Sequence, residues 1–284
     1  MPSPSARIRI VTDTTASVPP AFAAAHQVEV VPQVVIFGGE SFLEEKELSY
    51  AEYIRRLKSS PQLPKTAAPP PGLLVEAYRR QLAAAATVLS IHPSVDVSGT
   101  IRSAQTAQAS FPRADIRLLD TRTVGGNLAT LVQLAVEWAE GGMGADEIMT
   151  RLQALIPRER TYFLVATLEY LQKGGRIGGA AALIGGLLQI KPLLELKDGR
   201  IEPLERVRTH HLALERLKVL VRENCPRPAE AHVCVMHADD ENEAQGLVRD
   251  LRASLGVAAI PIYSLGAAIT THAGPGALGV GFFA

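Results

Sequence analysis

Aromatic side chains are scarce in this 284-residue chain: they make up 5% of it, with a single tryptophan. Hydrophobic residues still reach 47%, so the core has to be filled by Val, Ile, Leu and Ala, and general disorder is excluded. Such a length accommodates two ordinary domains or one large one. A charge imbalance is lacking too. The 29 basic and 29 acidic residues cancel, which leaves no footprint for nucleic acid or an anionic membrane surface. The two cysteines, Cys225 and Cys234, form neither a CxxC pair nor a zinc pattern. No metal site is expected from them, and both read as small core residues in a reducing compartment. Long apolar runs are absent. The opening MPSPSARIRIVTD lacks the apolar core of a signal peptide. The most apolar stretch, IGGAAALIGGLLQI, is broken by glycines and followed by Lys191-Pro192; it falls short of the roughly 18 residues that span a bilayer. A cytoplasmic protein without stable membrane insertion is expected.

Common catalytic signatures are missing as well. There is no HExxH, no phosphate-cradling GxxxxGK and no GxSxG elbow, and Asp13-Thr14-Thr15 stands where a dinucleotide fold would carry its glycines after the first strand. Asp13 leaves two readings open. It is either an aspartyl-phosphate nucleophile, which needs a metal and further acids, or the cap of a helix or turn.

What is present is an alternation of strands and helices. RIRIVTD, VEVVPQVVIF, TVLSIH and DIRLLDT read as strands. Between them PAFAAAHQ, SYAEYIRRLKSS, LLVEAYRRQLAAA, SGTIRSAQTAQASF and NLATLVQLAVEWAEGG read as helices. Ser49 and Glu52 suggest a capping box, and Asn127 a helix cap; PQLPKTAAPPPG reads as a stiff loop. This order predicts an α/β fold beginning with a Rossmann-like parallel-sheet domain, with ligands at the carboxyl ends of its strands. The pattern changes near residue 150. LLELKDGRIEPLERV reads as a hairpin turning at Asp198-Gly199, and the remainder as a second, mixed-sheet, two-layer α/β domain. The expected division is 1–155 and 156–284.

Several polar positions stand out from this framework. Thr66 lies before a proline run that fixes its loop. Ser98-Gly99-Thr100 opens a helix; the serine either caps that helix or joins the free N–H groups in holding an anion. Arg176, between glycine pairs in KGGRIGG, is either a surface turn residue or a planar fork for a carboxylate or phosphate. The segment behind it, AALIGGLLQI, is either a closely packed core helix or a wall that leaves room for something long and apolar. His272, in THAGPGALGV, is either a hydrogen-bonded core histidine or a ligand group that Thr271, Gly274 and Gly276 allow to be approached closely.

The motifs LEYLQKGGRIGG, LLQIKPLLELKDGRIEPLERVRT, VSGTIRSAQ and THAGPGALGV, in this order and at this spacing, resemble those of the DegV family and its FakB-type fatty-acid-binding members. The resemblance runs from about Ile8 to Phe282. It implies two α/β domains with a long-chain fatty acid in a tunnel at their junction and no other cofactor. It implies a carboxylate held by Thr66, Ser98, Arg176 and His272, supported by Asp13, Thr14, Gly99, Thr100, Thr271 and Gly274. Acyl-tunnel candidates are Ile177, Leu183, Ile184, Leu187, Leu188 and Ile190. It further implies a non-catalytic carrier that presents the acid to a separate ATP-dependent fatty acid kinase for acyl phosphate and phospholipid synthesis. The sequence departs from the family pattern at Ala67-Ala68, at Ser94 to Val97 and at Gly125 to Ala129, which bears on acyl preference and on hydrogen bonds behind the head group. Two other function classes stay open. One is a self-sufficient enzyme, similar to the substrate subunits of dihydroxyacetone kinases with His272 as covalent anchor, or a hydrolase using Asp13. The other is a lipid-sensing regulator.

Overall fold

The computed structural model describes residues 8–184 and 191–284. The chain runs β1 (Ile8–Asp13), α1 (Pro20–His26), β2 (Glu29–Val31), β3 (Val34–Phe37), β4 (Glu40–Leu43), α2 (Tyr50–Ser59), β5 (Lys65–Ala67), α3 (Pro71–Leu82), β6 (Thr87–His92), α4 (Thr100–Gln108), β7 (Asp115–Asp120), α5 (Gly126–Glu140) and α6 (Ala145–Leu155). It continues as β8 (Glu159–Leu164), α7 (Glu169–Lys173), β9 (Lys191–Lys197), β10 (Arg200–Val207), α8 (His210–Asn224), β11 (Cys234–His237), α9 (Glu241–Leu255), β12 (Ile262–Ser264), α10 (Ala267–Ala273) and β13 (Leu278–Phe283).

The first sheet is parallel, in the order β2-β1-β6-β7. The buried faces of α3 and α4 cover one side through Leu74, Ala77, Tyr78, Ala104 and Ala107. Helices α5 and α6 cover the other through Leu128, Leu131, Ile148 and Leu152. Strand order reverses between β1 and β6, and the crevice beyond their carboxyl ends is where such sheets take ligands. The second sheet is mixed, β10-β9-β8-β13-β11-β12, with β11 and β12 parallel and every other pair antiparallel. Its outer face packs on α8 and α9. Helix α5 is buried along most of its length and also touches the inner face of this sheet through Ala129, against Cys234 and Met236. That accounts for its near-continuous apolar sequence, since a helix shared by two cores has no solvated face.

Three local expectations are corrected. VEVVPQVVIF is two strands, not one, because Pro32 offers no N–H to continue a ladder. Strand β2 ends in the parallel sheet, and β3 joins a separate antiparallel sheet of order β4-β3-β5. Within the expected stiff loop PQLPKTAAPPPG lies β5, where Thr66 pairs with Val35. Asn127 is not the cap of α5. Gly125 occupies that position, and the Asn127 amide instead donates to Glu159, Thr161 and the Arg160 carbonyl. The capping box is half formed: Ser49 Oγ accepts from the Glu52 N–H, while the Glu52 carboxylate turns to Arg55 and Arg56.

The Asp198-Gly199 hairpin is present, with both residues at positive φ (49° and 83°), as a primed turn requires. Its tip docks on the loop after β6. Ser94 Oγ donates to the Gly199 carbonyl at 2.8 Å, and Asp96 bridges Arg122 and Arg200 at 2.7 and 3.0 Å. No helix among the described residues is long and apolar enough to cross a membrane.

Candidate head-group and acyl site

A cavity opens where the three sheets meet. Thr66, Ser98, Arg176 and His272 all line it, together with Thr15 and Gln33. Its apolar wall comes from Phe163, Leu196, Ile201, Met236, Ile269 and Leu278, on strands of the mixed sheet and on α10. The cavity volume is about 130 Å³, measured as the space available to water centres. On that measure about 10–15 Å³ holds one water, so the space is several times larger than one water needs.

Each polar group is delivered by a different element. Thr66 is held by the β5 ladder. His272 lies in the last turn of α10, with its Nε2 2.7 Å from Thr66 Oγ1. Ser98 precedes α4; its Oγ accepts from the Thr100 N–H at 3.3 Å and lies 2.9 Å from Thr100 Oγ1. The two readings of Ser98 therefore meet, since it bonds its own helix start while lining the cavity. Arg176 follows the α7 stop. Its guanidinium donates to the Val97 carbonyl at 3.2 Å and the Gly174 carbonyl at 2.8 Å, which ties it to the residue before Ser98. Burial pushes its pKa down, and no acidic side chain among the described residues offsets its charge.

Two glycines make this assembly sterically feasible. A Cβ on Gly174 would lie 2.2 Å from His272 Nδ1 and 2.8 Å from the Tyr170 carbonyl oxygen. A Cβ on Gly274, which has φ of +81°, would lie 2.6 Å from the Tyr170 ring. The KGGR segment thus presses against His272 from one side, leaving Nδ1 buried without a partner among the described residues. Burial, helped by the Arg176 charge, pushes the His272 imidazole down to about 4. The folded protein keeps this ring neutral where an unfolded chain, near 6.5, would already be protonated. Its contribution to stability is therefore complete above pH 6.5 and lost as the pH falls toward 4. His272→Gln should flatten that part of the profile by on the order of 2–3 kcal/mol. Urea midpoints of parent and variant near neutral pH and near pH 4.5 check this; parallel losses in both would contradict it.

The supporting candidates divide. Gly99 lines the cavity, and a Cβ added there would lie only 3.3 Å from Ala68 Cβ. Thr14, Thr100 and Thr271 do not line it. Thr14 donates to Glu44, and Thr271 lies 3.0 Å from Tyr53 Oη. Thr100 is fully buried behind Ser98. Of the acyl candidates, Ile177 and Leu183 belong to the apolar cluster beside the cavity without lining it, and Ile184 is 43% exposed. Leu187, Leu188 and Ile190 lie outside the described residues. Sequence reasoning missed Gln33, which lines the cavity, and Glu44. The Glu44 carboxylate accepts from the Ala268 N–H at 3.0 Å and so anchors the first turn of the helix that carries His272. Burial pushes the Glu44 carboxyl up.

Asp13 is fully enclosed and caps the turn after β1, accepting from the Thr15 N–H. His92 Nδ1 stands 2.9 Å from Asp13, and Ser90 Oγ 2.7 Å from His92 Nε2. This has the order of a hydrolase triad, yet all three residues are at 0% exposure and none lines the cavity. The nucleophile position is also tied to Tyr78 Oη at 2.8 Å. Of the two readings of Asp13, the structure shows the turn cap, closed off from the cavity. No cluster of three or more His, Cys, Asp or Glu suited to a metal occurs among the described residues.

Known proteins share this architecture. The family model described as "Uncharacterised protein, DegV family" matches residues 7–284. A DegV domain-containing protein of Deinococcus radiodurans is 36% identical over 273 residues, covering 96% of this chain and 97% of that protein. A DegV family protein from Thermus thermophilus, whose structure is described by its fatty acid binding, superposes with a TM-score of 0.88 at 32% identity, over 98% of this chain and 99% of its own. DegV from Bacillus subtilis, described as a fatty acid binding protein, does so with a TM-score of 0.88 at 33% identity and the same coverage. With a two-domain α/β architecture, a parallel sheet beside a mixed one, and a match along nearly its whole length, the chain belongs to the DegV family.

Proposed function

We propose that this protein binds a long-chain fatty acid in the cavity between the units 1–155 and 156–284, with the carboxylate held by Thr66, Ser98, Arg176 and His272. The observation that carries this reading is Arg176: a half-buried cation with no acidic partner among the described residues, grouped with two hydroxyls and an imidazole beside an apolar space. A fatty acid matches both parts. Each buried CH₂ contributes roughly 0.8 kcal/mol, so the chain supplies affinity while the head group only has to be paired. Burying that carboxylate bare would cost several kcal/mol; two hydroxyls and a guanidinium offset the cost. The sequence carries no phosphate-cradling GxxxxGK loop. By family resemblance, the reading extends to a non-catalytic carrier that presents the acid to a separate ATP-dependent fatty acid kinase. Its fatty-acid half has support from the relatives named above, and its kinase half from family resemblance.

Native mass spectrometry of the purified protein should show a co-purified mass matching a long-chain fatty acid. A clean ligand-free mass, with no uptake on titration, would sink the proposal. The kinase half is tested by incubating the lipid-loaded protein with ATP. Acyl phosphate should form only when a kinase partner is added, and formation by the protein alone would overturn the carrier role.

A further inference from the structure

Behind Ser98 lies a polar network whose donors and acceptors can be assigned one proton at a time. Asp13 is its sink. Its Oδ1 accepts from the Thr15 N–H at 3.0 Å, the Thr15 hydroxyl at 2.6 Å and Gln33 Nε2 at 2.8 Å, and its Oδ2 faces His92 Nδ1 at 2.9 Å. A carboxylate only accepts, so the Gln33 amide is fixed with its NH₂ group toward Asp13. The second hydrogen of that NH₂ goes to Thr100 Oγ1 at 2.8 Å. Gln33 is also held through its backbone: its N–H donates to Thr14 Oγ1, and its carbonyl accepts from the Glu44 N–H.

Thr100 is fully buried, and its oxygen already accepts from Gln33. Among the described residues its own proton has one acceptor within reach, Ser98 Oγ at 2.9 Å. Ser98 Oγ then accepts from both the Thr100 hydroxyl and the Thr100 N–H. Both of its lone pairs are engaged, and what it can still offer to the cavity is a proton. Thr66 is constrained on one side only. His272 Nδ1 faces Gly174 with no acceptor there. A buried N–H without a partner is rarer than a bare acceptor, so the hydrogen of the neutral ring is on Nε2, donated to Thr66 Oγ1. Thr66 Oγ1 takes that hydrogen on one lone pair and keeps its own proton to donate, so the donor-only restriction belongs to Ser98.

We propose that Gln33 and Thr100 are positioning residues that fix Ser98 as a hydrogen-bond donor, so that the site takes an ionised carboxylate and discriminates against the alcohol of the same chain. This rests on the fatty-acid reading of the cavity. A carboxylate accepts from every donor present and returns none. An alcohol brings a proton that Ser98, with both lone pairs engaged, cannot take, and an unmet buried donor weakens binding.

The test measures the affinities of palmitic and oleic acids and of the matching fatty alcohols for the full chain and for Gln33→Met, Thr100→Val and Ser90→Ala. The first two variants free Ser98 to turn and accept. Each should shrink the acid-to-alcohol affinity ratio by about tenfold, with alcohol binding held or improved. Ser90→Ala, at the far end of the same network, should leave the ratio unchanged. Equal losses for acid and alcohol in Thr100→Val, or a ratio shifted as much by Ser90→Ala, would overturn the proposal. If Gln33→Met fails to fold, the near-isosteric Thr100→Val decides alone. If the parent binds the alcohol and the acid equally, lipid binding stands and the donor assignment falls; if it binds neither, the fatty-acid reading itself fails and takes this proposal with it.

Discussion

Asp13→Ala is expected to lower the unfolding free energy by about 3–5 kcal/mol, the range for removing one partner from a buried charged network. The residue touches no solvent and takes hydrogen bonds from Thr15 twice and from Gln33, with His92 against its other oxygen. Alanine would leave those donors buried and unpaired, and each such group carries its own desolvation cost. Asp13→Asn should fall between parent and alanine, because an amide accepts on one side only and meets either Gln33 or His92 with a second donor. Urea denaturation with a free slope measures this. A loss under about 1 kcal/mol for the alanine variant would mean that water or a shifted His92 replaces the carboxylate.

Arg176→Ala is expected to weaken fatty-acid binding by about 10- to 100-fold, the equivalent of one or two charge-assisted hydrogen bonds, while binding of the matching fatty alcohol changes little. The asymmetry follows from the site. In the proposed binding mode the alkyl chain meets the same apolar wall in both ligands, and only the acid brings a charge for the guanidinium to pair. Arg176→Lys should recover part of the loss. It keeps the charge but gives up the fork that spans the Val97 and Gly174 carbonyls. Calorimetric titration with both ligands distinguishes the cases. Equal losses for acid and alcohol would show that Arg176 shapes the cavity rather than pairing with the head group.

Strands and helices with a strong period are legible in the sequence, as TVLSIH and the paired halves of the Asp198-Gly199 hairpin show. The failures have identifiable physical causes. β5 is three residues between prolines, too short to display an alternation. Asn127 carries a helix-cap residue type, but its partner Glu159 is 32 positions away and no local rule sees it. The four head-group candidates stand out as polar residues in glycine- or proline-framed loops, and all four line one cavity. The wall is less legible. The glycine-broken segment from Gly178 to Ile190 draws attention because it is apolar as a run. The lining strands contribute alternate residues, such as Phe163 and Leu196, which look like any sheet core. Gln33 and Glu44 are inconspicuous because a single polar residue in a strand-turn region acquires meaning only from partners 67 and 224 positions distant.

Thr66 and His272 meet across 206 residues of sequence, one from the small antiparallel sheet and the other from a helix beside the mixed sheet. Contacts of this separation form late in folding, since their loop-closure entropy is met only once intervening elements are in place. The proposed head-group site is therefore a readout of completed assembly. A chain cut between Ser98 and Arg176 holds half of the donors and no enclosing wall. Ligand binding and global folding are linked in the same way: a lipid that binds only the assembled state raises the melting temperature with its concentration. If the proposed lipid is bound, its removal should show first as increased hydrogen exchange at α10 and the Gly174 turn, where Gly174 lies against His272.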